Sequence, residues 1–205
     1  MKVRTIILDI DETLLHRSDD ENALHSLDIW NQNPSVRSRT FIIRWPDGGK
    51  CWMIKRPYLD EFIIQCFQKF DQVIVWSAGG KNYVESVVKH IFSGHPSPHY
   101  VFWNQHCANY ELDYSRLHKP ILHLKNYNVD VDLESTVIVD DRARNFADNI
   151  KNGALIAQYQ PYPSVISLIN DNDMALLELI GWMNSDDFKQ GLFTFHQWMS
   201  VEANH

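Results

Sequence analysis

Three short runs of contiguous apolar residues punctuate the chain: residues 3–8, Val73-Ile74-Val75-Trp76 and Thr136-Val137-Ile138-Val139. Each is rich in β-branched side chains and too short for a helix of normal length, so each reads as a parallel strand buried on both faces. Tyr100-Val101-Phe102-Trp103 reads as a further strand. Between these runs the spacing becomes helical. Leu59, Phe62, Ile63, Cys66, Phe67 and Phe70 line one face behind Pro57, and Val84, Val87, Val88 and Ile91 line another. Strands alternating with helices predict an α/β, Rossmann-like domain, a central parallel sheet flanked by helices.

The remaining pattern adds smaller pieces. Residues 40–45 and 51–55 flank Pro46-Asp47-Gly48-Gly49, a hairpin signal within 39–55. Residues 17–37 are polar and irregular and read as a loop, with Asp19-Asp20-Glu21 solvated. Residues 104–115 read as a short insertion, too short for a separate cap domain. Within 161–205, apolar spacing over 174–183 and again over 193–199 predicts terminal helices that pack on the sheet or on a partner.

Composition narrows the class. A chain of 205 residues suits one domain of the larger sort. Its net charge of −7 disfavours nucleic acid as the main partner. Cys51, Cys66 and Cys107 are odd in number and lack CxxC spacing, as expected of reduced thiols in the cytosol or nucleus. No apolar run reaches the ~20 residues of a membrane span, and the first strand begins too early to leave room for a signal peptide. His95, His99, His106 and Cys107 match no usual zinc spacing, and Pro96 and Pro98 break any helix that would align them.

The chemistry sits at the strand ends. Asp9-Ile10-Asp11-Glu12-Thr13 follows the first strand, and Asp140-Asp141-Arg142 follows the third. The C-terminal ends of such strands are where open α/β sheets bind ligands. Carboxylates gathered there call for a hard divalent cation such as Mg²⁺, although Asp9 and Asp11 taken alone also read as turn formers. Ser77-Ala78-Gly79-Gly80 follows the second strand and opens a helical pattern, offering a hydroxyl and backbone N–H groups to an anion, or simply a helix cap. Lys119 stands just before Pro120, where it could neutralise phosphate or merely meet solvent. Lys125 is its rival in the same stretch.

In order, these segments resemble the four motifs of the haloacid dehalogenase (HAD) superfamily of phosphotransferases. Lys55-Arg56-Pro57-Tyr58-Leu59-Asp60-Glu61-Phe62 narrows the resemblance to the FCP/SCP-like phosphatases, the NLI-interacting-factor family, which includes phosphatases of the C-terminal repeats of RNA polymerase II. The match runs from about residue 3 to about residue 159. The resemblance implies a HAD fold without a large cap, with Asp9 as nucleophile and Asp11 as acid and base. Ser77 would contact the transferring phosphate, with Thr13, Ala78 and Gly79 beside it, and Lys119 would neutralise it. Mg²⁺ would be held by the Asp9 carboxylate, the Asp11 backbone carbonyl and Asp141, with Asp140 in support. The closest small members carry Asp-Asn where this chain has Asp140-Asp141.

Arg56 and Arg142 are candidate substrate contacts; packing of Arg56 against an acidic loop and a surface salt bridge for Arg142 or Arg144 are the alternatives. Trp103, Tyr110 and Tyr114 read as peptide contacts or as lid packing. The resemblance implies a Mg²⁺-dependent phosphomonoesterase acting on phosphoserine or phosphothreonine in a polypeptide such as the polymerase tail. A phosphatase of nucleotide ends or small metabolites, a phosphotransferase, and a non-catalytic phosphopeptide-binding relative remain open.

Overall fold

A computed structural model describes residues 4–19, 33–45, 48–108, 117–189 and 195–196. Six strands form the central sheet: β1 (Thr5–Leu8), β5 (Gln72–Trp76), β6 (Tyr100–Phe102), β7 (Thr136–Asp140), β8 (Gly153–Leu155) and β9 (Phe195–His196). Their spatial order is β6-β5-β1-β7-β8-β9, and every neighbouring pair is parallel. The chain runs outward from β1 on one side and then restarts at β7 on the other. The crevice at the C-terminal end of β1 is therefore a topological switch point.

Contiguous apolar runs are needed because alternate side chains point to opposite faces and both faces are covered. Ile6, Leu8, Val73, Val75, Val137 and Val139 face the helices α2 (Leu59–Lys69), α3 (Lys81–Ile91) and α5 (Ala175–Met183). Ile7, Ile74, Trp76 and Ile138 face the other way, onto Ile121 and Leu124 of a 3₁₀ turn (Ile121–Tyr127) and onto Phe146. Leu8 is level with Val75 on one side and Val139 on the other. That register brings Asp9 and Asp140 out at one level, with Ser77 one residue further along its own strand.

A second, antiparallel sheet of β2 (Leu15–Ser18), β4 (Lys50–Lys55) and β3 (Thr40–Arg44) stands beside this crevice. The hairpin is present, with Gly48 at φ 90°, where a left-handed turn favours glycine. Its third strand and the short helix α1 (Pro34–Arg39) correct the loop read over 17–37 at both ends. Val36 is the one buried residue of α1, so the helix carries no apolar period and starts instead on Pro34 and the Asn33 cap.

α4 (Val165–Ile169), α5 and α6 (Asp186–Lys189) fit the expected terminal helices, but Phe195–His196 forms a strand on β8 where the spacing over 193–199 predicted a helix. There the open edge of β8, with unpaired backbone groups, outweighs a helical period. Among the described residues no helix is long and apolar enough to cross a membrane.

Candidate active site

Asp9 is 5 % exposed and its Oδ1 accepts a hydrogen bond from Lys119 Nζ. The same ammonium donates to Asp140 Oδ2 at 2.7 Å. Lys119, at 1 % exposure, thus lies between two buried carboxylates. Burial opposes its charge, but Asp140 and Asp9 outweigh that and hold it above the ordinary lysine range. Asn145 fixes the arrangement twice: its backbone carbonyl accepts from Lys119 N at 2.6 Å, and its Nδ2 donates to both Asp140 oxygens at 2.8 and 3.0 Å. Burial pushes Asp9 well above the usual carboxylate range; Lys119 pulls it back, while Asp140 and Asp11 add to the rise.

Asp11 faces another set of partners. Its Oδ1 accepts from the Tyr83 hydroxyl and its Oδ2 from Ser77 Oγ at 3.3 Å. Ser77 Oγ in turn accepts the Gly79 N–H at 3.0 Å. The turn that carries Asp11 folds back on Ile10, whose carbonyl accepts from Leu14 N at 2.9 Å, and it holds Glu12 in the left-handed region at φ 60°. A β-carbon on Gly79 would lie 2.7 Å from the Tyr83 ring, so only glycine lets Tyr83 lie where it meets Asp11. Burial raises the Asp11 carboxyl above its ordinary value, against the hydrogen bonds from Tyr83 and Ser77 and the charge of Lys119. Burial and the neighbouring Asp11 charge raise the Tyr83 phenol far above its usual range, so it stays a proton donor to that carboxylate.

Asp141 closes the site from the β7 side. Carboxylate oxygens of Asp9, Asp140 and Asp141 lie within 4.8 Å of one another. Burial and Asp140 raise the Asp141 carboxyl, and Gln158 Nε2 donates to its Oδ2 at 2.8 Å. Thr13 Oγ1 has one proton for two acceptors, Asp9 Oδ2 at 3.2 Å and Asp141 Oδ1 at 3.4 Å, and it accepts the Asp141 N–H at 3.1 Å. Three buried carboxylates with one ammonium form a hard, oxygen-only donor set with surplus negative charge, which fits Mg²⁺. Asp140 already accepts four hydrogen bonds, from Lys119, Arg142 N and twice from Asn145. Asp9 and Asp141 keep more lone pairs free for an ion. Asp140 thus holds Lys119, and the Asp11 carboxylate lies outside the three-carboxylate group.

A family model of the NLI interacting factor-like phosphatases matches residues 4–189. The chain belongs to this family. It is 27% identical over 157 residues to a probable C-terminal domain small phosphatase of Dictyostelium discoideum, an alignment covering 73% of this chain and 42% of that protein. It is 24% identical over 174 residues to CTD nuclear envelope phosphatase 1 of Xenopus tropicalis, covering 83% and 65%. The chain therefore spans less than two thirds of the curated relatives it matches. Its fold superposes on that of Fcp1, an essential RNA polymerase II CTD phosphatase, with a TM-score of 0.56 at 18% identity over 88% of this chain and 50% of the other.

For an NLI interacting factor-like phosphatase, the structure gathers Asp9, Asp11, Ser77, Lys119, Asp140 and Asp141 as the motifs imply. Ala78, Gly79 and Arg142 line the same cavity, of about 530 Å³. Two substrate contacts need correction. Arg56 is buried beneath the site: its Nε and an Nη donate to Asp173 at 2.8 and 2.9 Å and its other Nη to the Thr13 carbonyl at 3.1 Å. A buried guanidinium must be paired, and Asp173 supplies the charge. Thr13 is also fully buried and holds Asp9 and Asp141 instead of meeting substrate.

His95 pairs with Asp60, whereas His99 accepts from Val73 N, so these histidines serve separate ends. Trp103 packs on His106 and under Lys81; Tyr110 and Tyr114 lie outside the described residues. Tyr83, Asn145, Gln158 and Arg17 escaped the motif reading because each serves through the tertiary fold. Arg17, Tyr83 and Asn145 each stand within four residues of a motif, whereas Gln158 does not.

Lys125 is exposed, whereas Lys119 is buried against Asp9. Alanine at Lys119 should lower kcat/KM by ~10²–10³-fold, the worth of one charged donor at the reacting group, while alanine at Lys125 should stay within about a few-fold. Lys119→Ala also leaves two buried carboxylates unpaired and should cost ~3–5 kcal/mol of stability, so steady-state rates and thermal unfolding are to be measured together. Equal rates in the two variants would move the third motif.

Proposed function

We propose that the chain is a Mg²⁺-dependent phosphomonoesterase that works through an aspartyl-phosphate on Asp9, with phosphoserine or phosphothreonine in a polypeptide such as the RNA polymerase II tail as its substrate class. The observation that carries this reading is the parting of the two neighbouring carboxylates: Asp9 turns to Lys119 and Asp141, and Asp11 turns to Ser77 and Tyr83. One is dressed as a nucleophile held beside cationic charge. The other is raised by burial and suits a group that gives and takes a proton.

Lys119 orients Asp9 Oδ1 and neutralises charge as Asp9 closes on phosphorus. The carboxylate displaces the serine or threonine alkoxide, which takes its proton from Asp11. Asp11, now ionised and steadied by Tyr83 and Ser77, draws a proton from the water that cleaves the acyl phosphate, and inorganic phosphate leaves. Asp9 and Asp141 would hold Mg²⁺, which when bound supplies further charge neutralisation at the phosphoryl oxygens.

Ala78, Gly80, Arg142 and Arg144, all exposed, line the cavity, which is therefore open to the exterior. An open mouth of that kind favours a side chain on a polypeptide over an enclosed metabolite. Hydrolysis of phosphoserine and phosphothreonine peptides, compared with nucleotides and sugar phosphates, tests the substrate class; a preference for the small molecules would replace it. The ion is tested separately. EDTA should silence turnover until Mg²⁺ is returned, and Asp141→Ala should shift the Mg²⁺ titration at least ~tenfold higher, since a charged ligand is lost. An unchanged titration would take Asp141 out of the metal shell.

A further inference from the structure

The chain carries a net charge of −7, yet the mouth of its acidic cavity is rimmed by Arg17, Arg142 and Arg144. They come from separate places, Arg17 from β2 and the other two from the turn after β7. Ion pairs within the site do not account for them all. Lys119 already faces Asp9 and Asp140 from below. Arg142 comes within 3.5 Å of Asp141. Arg17 makes a forked pair with Asp19, between two exposed side chains where such a pair is weakly held, and lies 5.8 Å from the Tyr83 ring centre. Arg144 is exposed, and no hydrogen-bond or ion-pair partner of it is seen among the described residues.

A phosphoryl group at Asp9 fills only the floor of a cavity whose volume, about 530 Å³, lies in the range of ligand pockets. We infer that Arg144, with Arg17 and Arg142, forms a subsite for a second anionic group on the phosphorylated polypeptide, next to the phosphate being removed. The inference rests on the phosphatase reading above. Guanidinium forks match the paired oxygens of phosphate or carboxylate, and an exposed rim leaves them free to exchange an internal partner for a substrate one. The substrate class is thereby narrowed to a phosphopeptide with a phosphate or an acidic residue flanking the target.

Three peptides test it, alike except at one position two residues from the target phosphoserine: serine, glutamate or a second phosphoserine. In the wild type, the anionic peptides should show kcat/KM about tenfold above the neutral one, the worth of one charge-assisted contact, and the ratio should shrink as salt is raised. Equal gains from glutamate and phosphoserine assign any anion, and a gain confined to phosphoserine assigns a second phosphate. Arg144→Ala should bring the ratio close to one, and Arg144→Lys should keep part of it because the charge survives without the fork. Arg4→Ala removes the same charge at the opposite end of β1 and should leave the ratio unchanged.

A wild type that hydrolyses all three peptides equally overturns the subsite while the phosphatase reading stands, and so does a ratio that survives Arg144→Ala. A wild type that hydrolyses none of them, nor an aryl phosphate, removes both.

Discussion

Asp9→Asn should leave no measurable hydrolysis of either a phosphopeptide or an aryl phosphate, a loss on the order of 10⁴-fold or more. The carboxamide keeps the shape of the side chain but is a poor nucleophile, and it removes the negative charge that Lys119 faces at Oδ1. Folding should survive, because Lys119 retains its 2.7 Å contact with Asp140, and burial already works against the Asp9 charge. Circular dichroism and thermal unfolding would confirm a native fold, and steady-state assays with excess Mg²⁺ would separate a lost nucleophile from a weakened metal site. Activity near wild type in a folded Asp9→Asn protein would reduce Asp9 to a ligand and leave the chemistry without its first step.

Why Asp9, Asp11 and Asp140-Asp141 could be found from the sequence is a matter of strand geometry. Contiguous apolar runs mark doubly covered parallel strands, and the polar residues that end them must emerge at one edge of the sheet. Lys119 needed the order of the motifs as well, since its neighbour Lys125 carries the same charge and only burial separates them. Other features were hidden for physical reasons. Tyr83 sits on the same helix as the apolar residues Val84 and Val87, and nothing in that spacing shows that Gly79 lets its hydroxyl reach Asp11.

Arg56 and Thr13 stand within matched motifs, but their surroundings were decided by distant parts of the chain: Asp173, far along the sequence, claims the guanidinium. β2 and Phe195–His196 are short strands whose identity comes from an adjoining edge, β4 in one case and β8 in the other. Local patterning carries little of that information.

Asp11→Asn separates the two steps of the proposed reaction. The amide preserves an acceptor for the Tyr83 hydroxyl but can neither supply the proton to a departing alkoxide nor take one from water. With a phosphopeptide, turnover should fall by ~10²–10⁴-fold. An aryl phosphate behaves differently, because its phenolate leaves without acid help. Transfer to Asp9 should then outrun release, giving a burst of phenol near one equivalent followed by slow turnover. Rapid acid quenching should recover a phosphoryl group on the peptide that contains Asp9, because the acyl phosphate has lost the base that activates water. Direct attack of water on phosphorus would leave no such adduct. Slow, linear release of phenol without a labelled peptide, from a folded protein with residual turnover, would therefore rule out the covalent route and with it the pairing of Asp9 as nucleophile and Asp11 as its proton partner.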